Sequence, residues 1–151
     1  MTRLLISVFI LFGLVATTGA VDNGLVNVKS PHTVKETADR LEQAIKAKGM
    51  TVFIRIDHAA GAQKAGLSLP PTEVVIFGNP KVGTPLMQCS RSAAIDLPQK
   101  ALIWEDEKGQ VWLTYNDPAY LAARHAISGC EAVLEKIGGA LHNFAAAATQ
   151  P

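Results

Sequence analysis

The chain contains 151 residues, with 14 lysines and arginines, 13 aspartates and glutamates, and a formal net charge of +1. A protein that binds nucleic acid normally shows a clustered basic surplus, so this balanced composition argues against that class. The length of the chain is enough for one compact domain with its own core.

The first 20 residues predict a secretory signal. Arg3 is followed by an apolar run over 4–12, and small residues at 18–20 predict cleavage after Ala20. The run is shorter than the roughly 20 residues that span a bilayer, so a permanent anchor is the weaker interpretation. We therefore expect residues 21–151 to form one domain in the periplasm or outside the cell, with no membrane attachment.

Export governs the interpretation of the two cysteines, Cys89 and Cys130, because disulfides persist in oxidising compartments. The two residues either form a structural bridge or remain as unpaired buried thiols. A reactive thiol or soft metal ligand has less support, since the sequence has no CxxC motif and no histidine beside either cysteine.

The first elements predicted along the chain are a strand, a helix and a strand. Residues 25–29 alternate in polarity, and Thr33 with Glu36 forms a capping box that predicts a helix ending at Gly49. Residues 50–57 alternate again, which predicts a half-buried strand. Its packed face would carry Met50, Val52, Ile54 and Ile56.

The segment 59–72 shows neither helical nor strand periodicity, so we predict a loop long enough to be functional. A short apolar strand follows at 73–77. Asn79 and Pro80 then predict a helix start, with Asn79 as N-cap and the helix extending to about Ser92, although Gly83-Thr84-Pro85 could restart the helix one turn later.

The second half of the chain predicts a hairpin and a helical end. Strands at 100–104 and 111–115 flank a polar turn and place Trp104 and Trp112 as the large apolar groups. A last helical region begins at Asp117-Pro118, breaks near Gly129 and resumes before an alanine-rich tail trails off. The order β-α-β-β-α-β-β-α favours an α+β fold, a sheet with helices packed on it.

Several motifs together resemble a known family. In order they are Asp57-His58, Ala65-Gly66-Leu67, Pro71-Thr72, Phe77-Gly78-Asn79-Pro80, Gly83-Thr84 with Leu86-Met87, Asp96-Leu97-Pro98 and Trp104-Glu105-Asp106. From Val26 to Phe144 the chain resembles the domain-of-unknown-function family 302. The resemblance implies a TBP-like α+β fold with an antiparallel curved sheet, often a homodimer, and no established activity.

His58 is the candidate site residue of greatest interest. A neutral imidazole at a strand end can ligate a metal or haem iron, or exchange protons near neutral pH. Alternatively its ring bonds a loop carbonyl and holds the turn. The neighbouring Asp57 either orients that ring or caps the loop.

Other candidates could complete a site around His58. Lys64 could attract an anion, and Asn79 and Thr84 precede proline-started helical turns whose free amides bind anions, although capping is the alternative. Met87 or Cys89 could add a soft sulfur ligand for a transition metal or haem, with core packing as the alternative for Met87. Covalent c-type haem is excluded because there is no CxxCH motif.

Three functions from different classes follow. The leading hypothesis is a binding module for a small molecule, metal or haem, with a pocket formed by His58, Lys64, Asn79 and Thr84 beneath the 59–72 loop. The second is a small enzyme with His58 as general base; GxSxG, HExxH and phosphate-loop motifs are all absent from the sequence. The third is a structural or interaction domain that forms a homodimer without a ligand.

Overall fold

A computed structural model describes residues 23–151; the predicted signal and its cleavage site lie outside this range. Within it the elements are, in chain order, β1 (Leu25–Ser30), α1 (Val34–Ala47), β2 (Thr51–Asp57), α2 (His58–Lys64), β3 (Thr72–Gly78), α3 (Pro80–Cys89), a 3₁₀ helix (Arg91–Ile95), β4 (Gln99–Glu105), β5 (Val111–Asn116), α4 (Pro118–Arg124) and α5 (Glu131–Thr149). Among these residues, none of the helices combines the length and apolarity needed to cross a membrane.

The strands form one antiparallel sheet in the order β1-β5-β4-β3-β2. Strands β2 to β5 pair with their neighbours in sequence, while α1 carries the chain from β1 at one edge to β2 at the other. The predicted hairpin is present, and Trp104 lies directly opposite Trp112. The α+β class and the single domain predicted from the sequence are confirmed.

Helix α1 forms where its capping signal and apolar spacing predict it. The Oγ1 atom of Thr33 accepts a hydrogen bond from the amide of Glu36 at 3.2 Å. Gly49 ends the turn after the helix with φ of 68°, a conformation that glycine adopts without strain. The predicted stripe is fully buried and consists of Val34, Ala38, Leu41 and Ile45.

The core lies between the sheet and a layer formed by α1 and α5. Phe77 of β3 is only 1% exposed and meets Phe144 of α5 edge to face, with ring centroids 6.0 Å apart. Ile103 and Leu113 of the central strands are also almost completely buried. Each large apolar side chain buried in this way stabilises the fold by about 1.5–3 kcal/mol.

A bulge in β2 makes the predicted single packed face of that strand wrong. The register with β3 shifts between Val52 and Ile54, so that Val52 pairs with Phe77 but Ile54 pairs with Ile76. Partners on neighbouring strands share a face of the sheet. Val52 therefore faces the helices, whereas Ile54 lies on the opposite face and is 50% exposed.

The predicted loop at 59–72 is wrong over its first residues, which form helix α2. Asp57 caps this helix, since its carboxylate accepts a hydrogen bond from the amide of Ala60 at 2.8 Å. The helix has seven residues and none of them is buried. It therefore has no apolar stripe that periodicity could reveal.

The alanine-rich end of the chain is a helix packed against α1, and the prediction of a trailing tail is wrong. Helix α5 continues through Gly138 and Gly139 to Thr149, and its Ala145 and Ala148 are buried. Alanine has the highest helix propensity, and its small side chain allows α5 to approach α1 closely.

The other face of the sheet carries no helix within residues 23–151. Its apolar side chains are half-buried or exposed and come from four strands: Ile54, Ile56, Val74, Ile76, Leu102, Trp104 and Trp112. We call these seven residues the open sheet face. They contrast with the helix-covered face, where Val75, Ile103 and Leu113 are at most 1% exposed.

Candidate functional site

A cavity of about 550 Å³ opens at the end of the sheet where β2 begins and β3 ends. Its floor is made by core residues of β3 and α5: Phe77, Ile137, Leu141 and Phe144. Its walls come from β2, α3 and the segment before β4: Met50, Phe53, Val82, Gly83, Met87 and Leu97. The lining is predominantly apolar, as is typical of pockets for small molecules.

Helix α3 forms one wall of the cavity. Asn79 caps it by accepting a hydrogen bond from the amide of Lys81 at 2.9 Å, and Pro80 occupies the first helical position. Gly83 faces the cavity, since a Cβ atom added there would lie 3.9 Å from Cδ1 of Leu97, at ordinary contact distance. The volume therefore depends in part on the absence of a side chain at this position.

Gln99 places a polar group in the wall of this apolar cavity. It opposes Phe77 in the β3–β4 ladder and so faces the helices. Gln99 is only 9% exposed, and its Nε2 atom is buried without a hydrogen-bond partner within residues 23–151. An unpartnered buried amide costs about 1–3 kcal/mol, which a ligand with a complementary oxygen would recover.

Two lysines lie at the mouth of the cavity. Lys48 is the C-cap of α1, and Lys136 belongs to α5; both are exposed. Lysines are the only charged residues that line the cavity in the described part of the chain, and neither forms an ion pair there. The mouth is therefore positively charged.

Three of the predicted site residues, Asn79, Thr84 and Met87, line this cavity. Asn79 acts as a cap, and its carbonyl also accepts hydrogen bonds from the amides of Val82 and Gly83, both at 2.9 Å. The first turn of α3 therefore has no free amides for an anion. Of the two roles predicted for Asn79, capping is present and anion binding by this turn is wrong. Met87 contributes a half-buried apolar side chain to the wall.

His58 and Lys64 lie at the opposite end of β2, which corrects the predicted pocket. Thr51 pairs with Gly78 beside the cavity, whereas Asp57 pairs with Glu73. At about 3.3 Å per residue these two ends of β2 are about 20 Å apart. His58 consequently does not join Asn79 and Thr84 in a pocket, and Met87 cannot share a metal with it.

The surroundings of His58 contradict one of its predicted roles, the bond to a loop carbonyl, whereas its roles as a metal ligand and as a proton-exchanging group stay predictions. It is the exposed first residue of α2, and its ring has no hydrogen bond or ion pair within residues 23–151, so the predicted bond to a loop carbonyl is absent there. Lys64 is exposed in the last turn of the same helix. No group of three or more histidines, cysteines, aspartates or glutamates in the described range is placed to hold a metal ion.

A second depression, of about 620 Å³, lies beneath the 59–72 segment, where the sequence predicts a pocket. Its lining includes Asp57, Gln63 and Glu73 but neither His58 nor Lys64. Asp57 is occupied in capping α2, and Glu73 forms an ion pair with Arg55 of β2. The carboxylates of Asp57 and Glu73 therefore already have partners inside the protein, unlike the buried Nε2 atom of Gln99 in the first cavity.

Cys89 and Cys130 are joined in a disulfide, with their Cα atoms 6.5 Å apart. Cys89 is the last residue of α3, and Cys130 immediately precedes α5. The bridge therefore connects two helices that line the cavity. Both sulfur atoms are used in it, so neither is available as a metal ligand.

Sequence reasoning missed a cluster of Ser92, Asp96 and His125. Nδ1 of His125 is 3.0 Å from Oγ of Ser92, and Nε2 is 2.6 Å from Oδ2 of Asp96. A catalytic triad joins serine to Nε2 and the carboxylate to Nδ1, and this cluster has the reverse arrangement and does not line the cavity. It ties the 3₁₀ helix to the end of α4, across a sequence separation that local patterns do not reveal.

The fold defines a small single α+β domain, and comparison with known proteins assigns its family. The family described as Domain of unknown function DUF302 matches residues 26–144. The chain belongs to this family, and the resemblance found in the sequence is confirmed. A crystal structure of an uncharacterized conserved DUF302 protein from Bacillus stearothermophilus has a similar fold, with a TM-score of 0.75 and 18% identity, over 83% of this chain and 98% of the other.

Among curated proteins, the chain is similar to longer relatives from Brucella. It is 58% identical over 107 residues to the fluoride-specific ion channel FluC 1 of Brucella suis, a match that covers 71% of this chain and 42% of the relative. The same identity is found with FluC 1 of Brucella abortus, over 40% of that protein. The chain thus spans about two fifths of the length of these relatives.

Proposed function

We propose that this chain is an exported binding module for a small molecule with an apolar body, which occupies the cavity beside α3. The observation that carries the proposal is the cavity itself. Its volume of about 550 Å³ lies within the range of about 300–1,000 Å³ that is usual for ligand pockets. Regular elements form most of its walls, and a disulfide links α3 to the start of α5.

Two features support export. The first 20 residues have the charged start, apolar run and small-residue exit of a secretory signal. The bridge between Cys89 and Cys130 is the kind of covalent link that persists in an oxidising compartment. These features support our proposal that the binding module functions in the periplasm or outside the cell.

Fluoride is a poor match for this cavity. A small anion held away from water needs several hydrogen-bond donors or cations that converge on it. The cavity is instead wide and mostly apolar, with its two lysines at the mouth. The name of the longer relatives refers to their whole chains, of which this chain matches about two fifths. The volume and the apolar lining of the cavity support a larger, apolar ligand instead of fluoride.

The test compares two matched glycine substitutions. Gly83→Leu places a side chain in the cavity, whereas Gly139→Leu places the same side chain on an exposed part of α5 with no atom within 4 Å of its Cβ. Leucine favours a helix over glycine, so neither change should weaken its helix. We expect a neutral fluorescent probe, N-phenyl-1-naphthylamine, to bind the wild type and Gly139→Leu but not Gly83→Leu. Equal binding to all three proteins would overturn the proposal.

A homodimer is the second candidate function, and the open sheet face favours it. This face is apolar at its centre, and two of its polar groups are bonded within the chain: Trp104 Nε1 donates to Thr114 Oγ1 (2.9 Å), and Thr114 Oγ1 donates to Asn27 Oδ1 (2.6 Å). The charged Lys29 of the edge strand β1 lies on the same face, with its Nζ 5.5 Å from the centroid of the Trp112 ring. Two copies could therefore pack their apolar centres together about a twofold axis, with Lys29 at the margin. The face lies on the far side of the sheet from the helices, so a dimer and a bound ligand are compatible.

A further inference from the structure

The charges at the cavity indicate the sign of the ligand's charge. Lys48 and Lys136 line the mouth, and no aspartate or glutamate of the described residues lines the cavity. Both lysines are exposed and form no ion pair within residues 23–151. A low-dielectric cavity with two cations at its mouth attracts anions and repels cations.

The apolar interior limits how many charges the ligand can carry. A charge placed among Phe77, Ile137 and Phe144 would lose its hydration and find no charged partner. The charged group therefore remains at the mouth, near the two ammonium groups, while the remainder of the ligand fills the interior. These requirements describe an amphiphile with one anionic head.

Gln99 adds a requirement for the buried part of the ligand. The side-chain amide of Gln99 lies in the cavity wall and is buried, and its Nε2 atom has no hydrogen-bond partner in the described chain. An amide can donate through its NH₂ or accept through its carbonyl. A neutral oxygen, either a hydroxyl or a carbonyl, can satisfy it without bringing a second charge into the interior.

We propose that the ligand is an aliphatic monocarboxylate with one neutral oxygen along its chain, the carboxylate lying beside Lys48 and Lys136 and the neutral oxygen bonded to Gln99. This proposal rests on the binding function proposed above. It adds the charge, the polarity pattern and the residues that recognise each part of the molecule. Gln99 is then the residue that distinguishes oxygenated from plain aliphatic chains.

The first experiment measures displacement of the fluorescent probe by dodecanoate, dodecanol and dodecylamine. We expect dodecanoate to bind tightest and dodecylamine weakest. Added salt should weaken the binding of dodecanoate but not that of the uncharged dodecanol. The double variant Lys48→Gln/Lys136→Gln should weaken dodecanoate binding by about tenfold and leave dodecanol unchanged. Lys64→Gln, a matched change in α2 beyond the far end of β2, should alter neither.

The second experiment compares dodecanoate with its positional hydroxy isomers. We expect one isomer to bind about three- to tenfold tighter than dodecanoate, the usual gain from one buried hydrogen bond. That advantage should disappear in Gln99→Met. The matched variant Gln110→Met should retain it, because the amide of Gln110 donates to the carbonyls of Ser30 and Val111 away from the cavity. Gln99→Met should also raise the unfolding temperature of the ligand-free protein, which shows that the variant folds.

The outcomes separate this inference from the function on which it rests. If dodecanol equals dodecanoate, or dodecylamine binds tightest, while Gly83→Leu abolishes probe binding, the cavity is a binding site but the assignment of the anionic head is wrong. If no hydroxy isomer gains affinity, the role of Gln99 is wrong. If none of the compounds displaces the probe and Gly83→Leu has no effect, the binding function itself fails.

Discussion

At the scale of single residues, Asp106 shows how one carboxylate organises a turn. It accepts hydrogen bonds from the indole of Trp112 and from the backbone amides of Gln110 and Lys108, each at 2.9 Å. These donors, the indole first among them, lower the pKa of Asp106 below its ordinary value because they stabilise the charged form. The turn between β4 and β5 is therefore held by a carboxylate in its ionised state.

This lowered pKa predicts acid sensitivity. In the unfolded chain an aspartate has a pKa of about 3.9. The hydrogen bonds to Asp106 therefore stabilise the fold above that pH. This stabilisation is lost as the pH falls through the lower pKa that Asp106 has in the folded protein. We expect the urea-unfolding free energy to decrease over that window. Asp106→Asn should flatten the decrease, whereas Glu107→Gln, an equal charge change in the same turn, should not. Parallel curves for wild type and Asp106→Asn would contradict this prediction.

At the scale of elements, the disulfide determines how firmly α3 is held. It closes a loop with a sequence separation of 41 residues, and the chain-entropy model assigns such a loop about 4 kcal/mol of stability. We expect the double variant Cys89→Ser/Cys130→Ala, and the wild type under reducing conditions, to lose about 3–4 kcal/mol in denaturant unfolding. Probe affinity should fall as well, because α3 forms a cavity wall. An unchanged unfolding free energy would show that the bridge contributes nothing to stability.

The elements also show which sequence signals are sufficient. Helix α1 was predictable because a cap, an apolar stripe and a terminal glycine all agree. Helix α2 was not, since it buries no residue and leaves no periodic pattern. The bulge at Phe53 escaped prediction because the alternation around it appears regular, and only pairing with β3 reveals the shift.

At the scale of the whole molecule, the open sheet face predicts self-association. We expect the wild type to sediment as a dimer that dissociates on dilution. Leu102→Lys places a charge at the centre of the face, on the middle strand, and should favour the monomer. Leu67→Lys, a matched change at an exposed site outside the sheet, should leave the dimer intact. A wild type that remains monomeric at its highest soluble concentration would rule out this interface.

The candidate site was only partly predictable from the sequence. Asn79, Thr84 and Met87 line the cavity because they lie in one helix whose start was recognisable. His58 was grouped with them through sequence proximity, although β2 and β3 run antiparallel and separate it from them. Gln99 gave no signal at all, since its significance depends on burial without a partner, which is a property of the folded chain.

The bulge in β2 has a consequence for aggregation. Strand β2 is an edge of the sheet, and an edge offers unpaired backbone groups to which a strand from another molecule can add. A bulge bends such an edge and interrupts its regular ladder. Phe53, which contributes its ring to the cavity, lies at this interruption. The irregularity at Phe53, in the cavity wall, thus also interrupts the ladder to which a strand of another molecule could add along this edge.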